Sequence, residues 1–393
     1  MKVAMVGNGR SVHVTGRSAA MAARGHTVRL VTLGTVLDAP GVDVRTRAIP
    51  ASIPAAIQAA RAFLVDVRSF TPDVLHLHYA GGKLGTMASL TDIHPFVVTV
   101  MGGDVLPEQH PGGMSWLERR ATKRVLQAAD LILVKSDALR VAVAALGAAE
   151  MRVETVRWGV DPAVFHHDSD AAAALRQRLG LDSRDRILVS PRILAPLYNV
   201  HLIVEALPAV LARVPQAMLL VTEYAADPAY RRRVEEAAGA IGVLSRVRFV
   251  GRLEHRDMPA LYSLADLVVS VPSSDGLPQS LFEAMACGAP VVLARLDAYG
   301  EVVRDGENAV LADLQPASLA SAMVGLLESP ARAAEMARAA LARVREVADL
   351  PSEVARVEAF YLRALASARC RRTSWAGRLA DIAGLVARTA RPR

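Results

Sequence analysis

Cysteine is scarce in this sequence. Of its 393 residues two are cysteines, Cys287 and Cys370. Two cannot build a disulfide framework, and no C-x-x-C pair offers thiolates to a metal. A reducing cytoplasm is the compartment that fits. Long apolar runs are also missing: nothing approaches about 18 uninterrupted apolar residues, which excludes a spanning helix. The opening MKVAMVGNGR lacks the order of a signal peptide and reads as a strand entering a glycine turn. Lysine disappears after Lys135, so the cations of the second half are arginines and histidines. Basic charge is missing from the body as well. The formal net charge is +7, and Arg369 to Arg393 hold seven arginines against the single acid Asp381. The body is therefore near neutral. A nucleic-acid partner is excluded on this ground, since such proteins carry their positive stripe on the fold itself.

What is present is apolar sequence in abundance. At this length, with 52% hydrophobic residues, the chain suits two α/β cores of about 150–200 residues each. Apolar β-rich runs alternate with helical stretches, the pattern of βαβ units on a parallel sheet. Strands are expected at KVAMVGN, HTVRLVT, Asp73–His78, Phe96–Asp104 and Leu131–Ser136, with a helix over Val14–Arg24. The second half repeats the pattern at Arg186–Arg192, Ala217–Glu223, Arg246–Gly251, Asp266–Pro272 and Ala289–Ala294. The expected parse is a first Rossmann-like domain over 1–165, a linker over 166–185 and a second such domain over 186–350. A helix over 351–368 then packs back toward the first domain, and 369–393 form a basic amphipathic tail. The fold class is α/β, with two Rossmann-like domains facing across a cleft. Ligands of such sheets lie beyond the carboxyl ends of the strands, which places Gly7, Gly102, Arg192, Gly251 and Pro272 around one cleft.

The most informative segment is SVPSSDGLPQSLFEAMACGAPVV, Ser270–Val292. A buried strand ends at Pro272, a polar Gly/Pro loop follows, and a helix starts near Gln279. Loop amides and a helix N-terminus make an anion site suited to a diphosphate, and Ser280 adds a hydroxyl in the first turn. Asp275 and Glu283 lie eight apart. They read either as two carboxylates for sugar hydroxyls or as a capping acid and a surface glutamate. Cys287 reads as a small buried residue. Over residues 6–14, VGNGRSVHV lacks the third glycine of a dinucleotide fingerprint.

The stretch resembles the signature of the retaining family-4 glycosyltransferases, whose pattern is E-x7-E within EGxPxxxxEAMACGxPV. Asp275 stands where that family usually has its first glutamate, and Gly276, Pro278, Glu283 to Gly288, Pro290 and Val291 match. The resemblance runs from Val3 to about Leu327, through RGHTVRLVT, ADLILVKS, RWGVDPAVF, RVRFVGRLEHRDMPALYSLADLVVSVPS and EVVRDGENAVL. It implies the GT-B fold, a nucleotide-sugar cosubstrate that is UDP- or GDP-linked, and no other cofactor and no metal. It gives Glu283 the nucleotide ribose and Asp275 hydroxyls of the transferred sugar. Where the family typically shows GRLxxxKG, Arg192 matches the arginine and Leu197 and Tyr198 occupy the neighbourhood of the lysine. The diphosphate then falls to Arg192, whose fork suits two phosphate oxygens, with Arg252 and the helix start in support. Arg192, Asp275 and Glu283 are thus the expected catalytic set. Gly9, Tyr198, Asn199, Arg252, Gly276, Leu277, Pro278, Gln279 and Ser280 are the expected donor contacts. On the acceptor side stand His13, Gly103, Asp104 and His110, with Met101 in place of the family's usual histidine.

The resemblance implies retaining transfer of a sugar to a hydroxyl. Alternatives are a catalytically silent sugar-binding or scaffold protein of the same fold, and a nucleotide-sugar epimerase. Two basic amphipathic segments, Ser115–Asp130 and the tail after Arg369, suit an anionic membrane surface. They point to peripheral attachment at the inner face of the plasma membrane and to a lipid-linked or envelope glycan acceptor.

Overall fold

The computed structural model describes residues 1–48, 53–109, 113–224 and 226–367. The chain divides into two compact units. The first comprises Met1–Arg157 and the segment from Pro351 onward, and the second is Trp158–Leu350.

The first unit runs β1 (Lys2–Val6), α1 (Val12–Ala23), β2 (Thr27–Leu33), β3 (Val42–Arg47), α2 (Ile53–Arg68), β4 (Val74–His78), α3 (Gly82–Ser89), β5 (Phe96–Thr99), α4 (Trp116–Ala128), β6 (Leu131–Val134), α5 (Asp137–Ala145) and β7 (Val153–Thr155). Among the described residues its strands form one parallel sheet of order β3-β2-β1-β4-β5-β6-β7. The sheet is covered on both faces, so β4, β5 and β6 are buried along their whole length. On one face Val6, Leu75, Leu77, Val98 and Ile132 pack with Phe63 of α2 and Val125 and Leu126 of α4. Each such fully buried side chain contributes about 1.5–3 kcal/mol.

The opposite face is partly polar. His76 of β4 accepts or donates through Nε2 to Thr99 Oγ1 at 2.7 Å, and its Nδ1 bonds the Tyr361 hydroxyl. Beside them Arg17 of α1 and Glu353 pair through two bonds of 2.6 and 2.8 Å, both residues being under 9% exposed.

The second unit runs α6 (Ser169–Arg178), β8 (Arg186–Ser190), α7 (Val200–Arg213), β9 (Ala217–Val221), α8 (Pro228–Ala240), β10 (Val247–Phe249), α9 (Met258–Leu264), β11 (Leu267–Ser270), α10 (Gln279–Ala286), β12 (Val291–Ala294), β13 (Val310–Ala312), α11 (Pro316–Leu327) and α12 (Pro330–Val347). Its parallel sheet has the order β10-β9-β8-β11-β12-β13 among the described residues. Ile187, Val189, Leu220 and Val268 face α6, α9, α10 and α12, while Leu188, Leu219, Val221 and Val269 face α7, α8 and α11. In each sheet the order reverses beside the first strand, at β1/β4 and at β8/β11. These are the switch points where such sheets bind ligands.

Two sequence expectations change. Residues 166–185 are not a linker. Asp168 caps α6 by accepting from the Asp170 and Ala171 amides, and Ala172 and Leu175 enter the second unit's core. The division falls at Arg157/Trp158 instead. The strand expected over Phe96–Asp104 stops at Thr99, because Asp104 takes the Met101 and Gly102 amides at 3.0 and 2.9 Å. The described chain ends with α13 (Leu350–Ser367), which from Pro351 belongs to the first unit. The tail expected over 369–393 lies outside the described residues.

Candidate active site

The second unit gathers its chemistry at the carboxyl ends of β8 and β11. Arg192 follows β8 by two residues and is 8% exposed. Its Nη1 lies 2.8 Å from Asp275 Oδ2. The two side chains form a buried ion pair, 9% and 8% exposed. The guanidinium carbon stands 4.6 Å from the Tyr198 ring centroid. Burial by itself would lower the Arg192 pKa; Asp275, and then Tyr198 and Tyr299, more than offset it, and the net shift is upward. Arg192 is therefore a permanently charged, preorganised hydrogen-bond donor.

Asp275 belongs to the loop between β11 and α10. Its Oδ2 accepts from the buried Tyr299 hydroxyl at 3.2 Å and its Oδ1 from the Gly276 amide at 2.8 Å. The carboxylate is not a helix cap: α10 has Pro278 at its N-cap position, no side-chain cap and no acid in its first turn. The Leu281 amide turns back to the Pro278 carbonyl at 3.2 Å, while no side chain caps the Gln279 and Ser280 amides at the positive end of the helix, a setting that suits an anion. Leu277 holds a left-handed φ of 69°. That conformation costs about 1–3 kcal/mol, which the burial of its side chain at 1% exposure offsets. Its side chain is thus core. Gln279 donates through Nε2 to the Gly159 carbonyl at 2.7 Å, while its buried Oε1 has no partner. Ser280 is half-buried in the same turn.

Glu283 is the second acid, and at 5% exposure it is no surface glutamate. Its Oε2 accepts from Tyr262 at 3.1 Å and its Oε1 meets His255 Nε2 at 3.1 Å. Burial first and Glu283 second raise the Tyr262 pKa, so the phenol stays a donor. One turn later Cys287 is 1% exposed, its pKa pushed up to about 12 by burial and then by Glu283. Its thiol is packing, not a nucleophile.

Two expected donor contacts sit differently. Asn199 braces the loop, donating to the Val271 carbonyl at 3.0 Å and to Ser273 Oγ at 2.8 Å. Arg252 lies 3.6 Å from Glu254 with its guanidinium 5.3 Å from the Tyr224 ring, and neither partner is in the Arg192–Asp275 group. The Gly276 amide is likewise taken, by Asp275.

In the first unit, Gly9 packs where a side chain would not fit. A Cβ there would stand 3.0 Å from Thr32 and Val36, and its amide donates to Thr32 Oγ1 at 2.8 Å. His13 opens α1, and its carbonyl receives Arg17 Nη1 at 3.4 Å. Asp104 is 1% exposed and fully engaged, taking the Ala80 amide at 2.7 Å besides the two already named. Burial raises its pKa against the lowering by those amides. It organises the loop rather than meeting an acceptor. The Gly103 carbonyl accepts from Tyr79 at 3.1 Å. His110 lies outside the described residues.

Sequence reading missed Tyr299, Tyr262 and His255. Each reads locally as an ordinary residue of a helix or turn, and only the tertiary fold brings it to an acid. No group of three or more His, Cys, Asp or Glu residues suited to a metal occurs among the described residues. No described helix is long and apolar enough to cross a membrane.

Residues 172–343 match the family described as glycosyl transferases group 1, and residues 2–136 match the glycosyl transferase 4-like family. A GDP-mannose-dependent alpha-(1-6)-phosphatidylinositol monomannoside mannosyltransferase of Mycolicibacterium smegmatis is 28% identical over 265 residues, covering 64% of this chain and 68% of that protein. A D-inositol 3-phosphate glycosyltransferase of Xylanimonas cellulosilytica is 30% identical over 371 residues, covering 86% of this chain and 87% of the relative. Other relatives are matched over less of their length, 43% for the D-inositol 3-phosphate glycosyltransferase of Rhodococcus jostii. Among solved structures, Anabaena HepE in complex with UDP and glucose aligns with a TM-score of 0.78 at 19% identity, over 92% of this chain and 100% of that one. At that identity the likeness shows the fold alone.

Proposed function

The chain belongs to the group 1 glycosyl transferases, GT4-like enzymes of the GT-B fold, and on that premise we propose that it moves a sugar from a UDP- or GDP-linked donor to a hydroxyl of a lipid-linked or envelope glycan, with retention at the anomeric carbon. The observation that carries the donor reading is the buried Arg192, ion-paired with Asp275, beside the N-terminus of α10, which no side chain caps.

In this reading Arg192 and the amides of Gln279 and Ser280 take the diphosphate and stabilise the charge that builds on it as the glycosidic bond breaks. Glu283 receives the ribose hydroxyls. Asp275, held by Tyr299 and the Gly276 amide, meets hydroxyls of the transferred sugar. Being one methylene shorter than glutamate and fixed on both oxygens, it leaves extra room beside the sugar. The acceptor hydroxyl loses its proton to the departing phosphate, so no enzyme carboxylate acts as a nucleophile.

The acceptor reading draws on the membrane-facing chemistry of α4 and on the phosphatidylinositol-bearing name of the Mycolicibacterium relative. Trp116 is 68% exposed and shares a helix face with Arg119, Arg120 and Lys123, all exposed. An aromatic and basic face of this kind suits an anionic bilayer, and it agrees with action at the inner face of the plasma membrane. Turnover with a panel of UDP-, GDP- and ADP-sugars, with and without lipid extract as acceptor, tests the whole. Release of nucleotide from a UDP- or GDP-sugar is the expected result. No turnover with any donor would sink it.

A further inference from the structure

We propose that His255 is a positioning residue for the nucleoside end of the donor: it fixes the Glu283 carboxylate in the orientation that receives the ribose hydroxyls. This rests on the reading of Glu283 as the ribose contact.

A carboxylate buried to 5% exposure needs hydrogen bonds to replace water. Among the described residues no arginine pairs with Glu283; its partners are Tyr262 on Oε2 and His255 on Oε1, each at 3.1 Å. An ionised carboxylate has about four lone-pair directions, so one donor per oxygen leaves each oxygen able to accept again. Two adjacent hydroxyls of a ribose match that vacancy.

The two donors differ in setting. Tyr262 is 1% exposed and lies in the core, whereas the His255 side chain is 38% exposed and borders solvent. His255 is nevertheless not loose. Its ring meets Phe165 edge-on with centroids 5.1 Å apart at 62°, and Phe165, itself 4% exposed, lies 6.4 Å from Tyr262. One turn after β10 delivers His255, and α9 delivers Tyr262 seven residues later. Phe165 closes the set from the segment before α6. The histidine is thus clamped on one side and bonded on the other. Removing its N–H frees Oε1 to turn, and ordering it again on binding weakens the complex.

Binding of UDP, GDP and ADP and of their 2′,3′-dideoxy forms, followed by calorimetry, tests this. The wild type prefers the ribo form of its nucleotide. His255→Phe, which keeps the stacking on Phe165, weakens the ribo form by about tenfold, the size of losing one hydrogen bond to a charged group, and leaves the dideoxy form unchanged. His255→Gln, which keeps an N–H donor, recovers part of the loss. Equal weakening of both forms, or an unchanged preference, would overturn the role of His255. A wild type that does not distinguish the two forms would instead remove the ribose reading of Glu283, and this inference with it.

Discussion

The Arg192–Asp275 pair separates stability from chemistry when its two members are removed in turn. Arg192→Ala leaves the Asp275 carboxylate, whose side chain is 8% exposed, without its cation. Breaking a buried pair from one side costs about 3–5 kcal/mol. Asp275 keeps two donors, the Tyr299 hydroxyl and the Gly276 amide, which puts the expected loss near the lower end, about 3 kcal/mol. For a unit of this size that is a fall in melting temperature of roughly 6–12 °C. Arg192→Ala/Asp275→Asn removes the stranded charge, so most of the stability returns. Activity does not return, because the donor to the diphosphate is still missing, and kcat/KM stays down by about 10²–10³. Scanning calorimetry of both variants beside their initial rates provides the readout. If Arg192→Ala melts within about 2 °C of the wild type, or if the double variant is no more stable than the single, the buried-charge reasoning is refuted.

Three further outcomes follow from the same structure. His76 has its pKa lowered to about 3, by burial and then by Arg17, and His78 is lowered as well, by burial and then by His76. A depressed histidine gives stability that is present above its unfolded value near 6.5 and lost as pH falls below it. The first unit should therefore lose about 1.4 kcal/mol per pH unit through His76 between pH 6 and 4, with His78 acting in the same direction; urea unfolding of His76→Phe across that range should show a shallower slope, and an equal slope would refute the assignment. Gly159→Ala should destabilise the second unit by about 1–3 kcal/mol or more, because its Cβ would stand 2.3 Å from the Leu350 nitrogen and 2.4 Å from the Asp349 carbonyl carbon. A melting temperature at the wild-type value would count against that packing. Reversing Arg119, Arg120 and Lys123 to glutamate should weaken co-sedimentation with phosphatidylglycerol vesicles while leaving sugar release in solution intact; unchanged co-sedimentation would take the membrane role from α4.

Much of this protein is written in local pattern. Alternating apolar runs and helical stretches are enough for two parallel sheets, because a buried parallel strand such as Val74–His78 must be apolar or satisfied along its whole length. The run from Ser270 to Val292 likewise reveals its loop and helix start, since the glycine, the proline and the two acids sit within one short stretch. Other features depend on residues far apart in sequence, and no window holds them. The helix over Ser169–Arg178 looked like a polar linker because only Ala172 and Leu175 of its face are buried; docking against the second unit decides that it belongs to a core. Asp104 looks available to an acceptor in sequence, but the turn after β5 folds the Met101 and Gly102 amides onto it and the chain after β4 adds that of Ala80. Asp275 gains Tyr299 from 24 residues onward, and Glu283 gains Tyr262 and His255 from 21 and 28 residues before. The sequence determines that two acids and an arginine are present at the right spacing. Only tertiary packing decides which of their atoms are already satisfied and which are left open, because a hydrogen bond depends on distance and angle in space and not on separation along the chain.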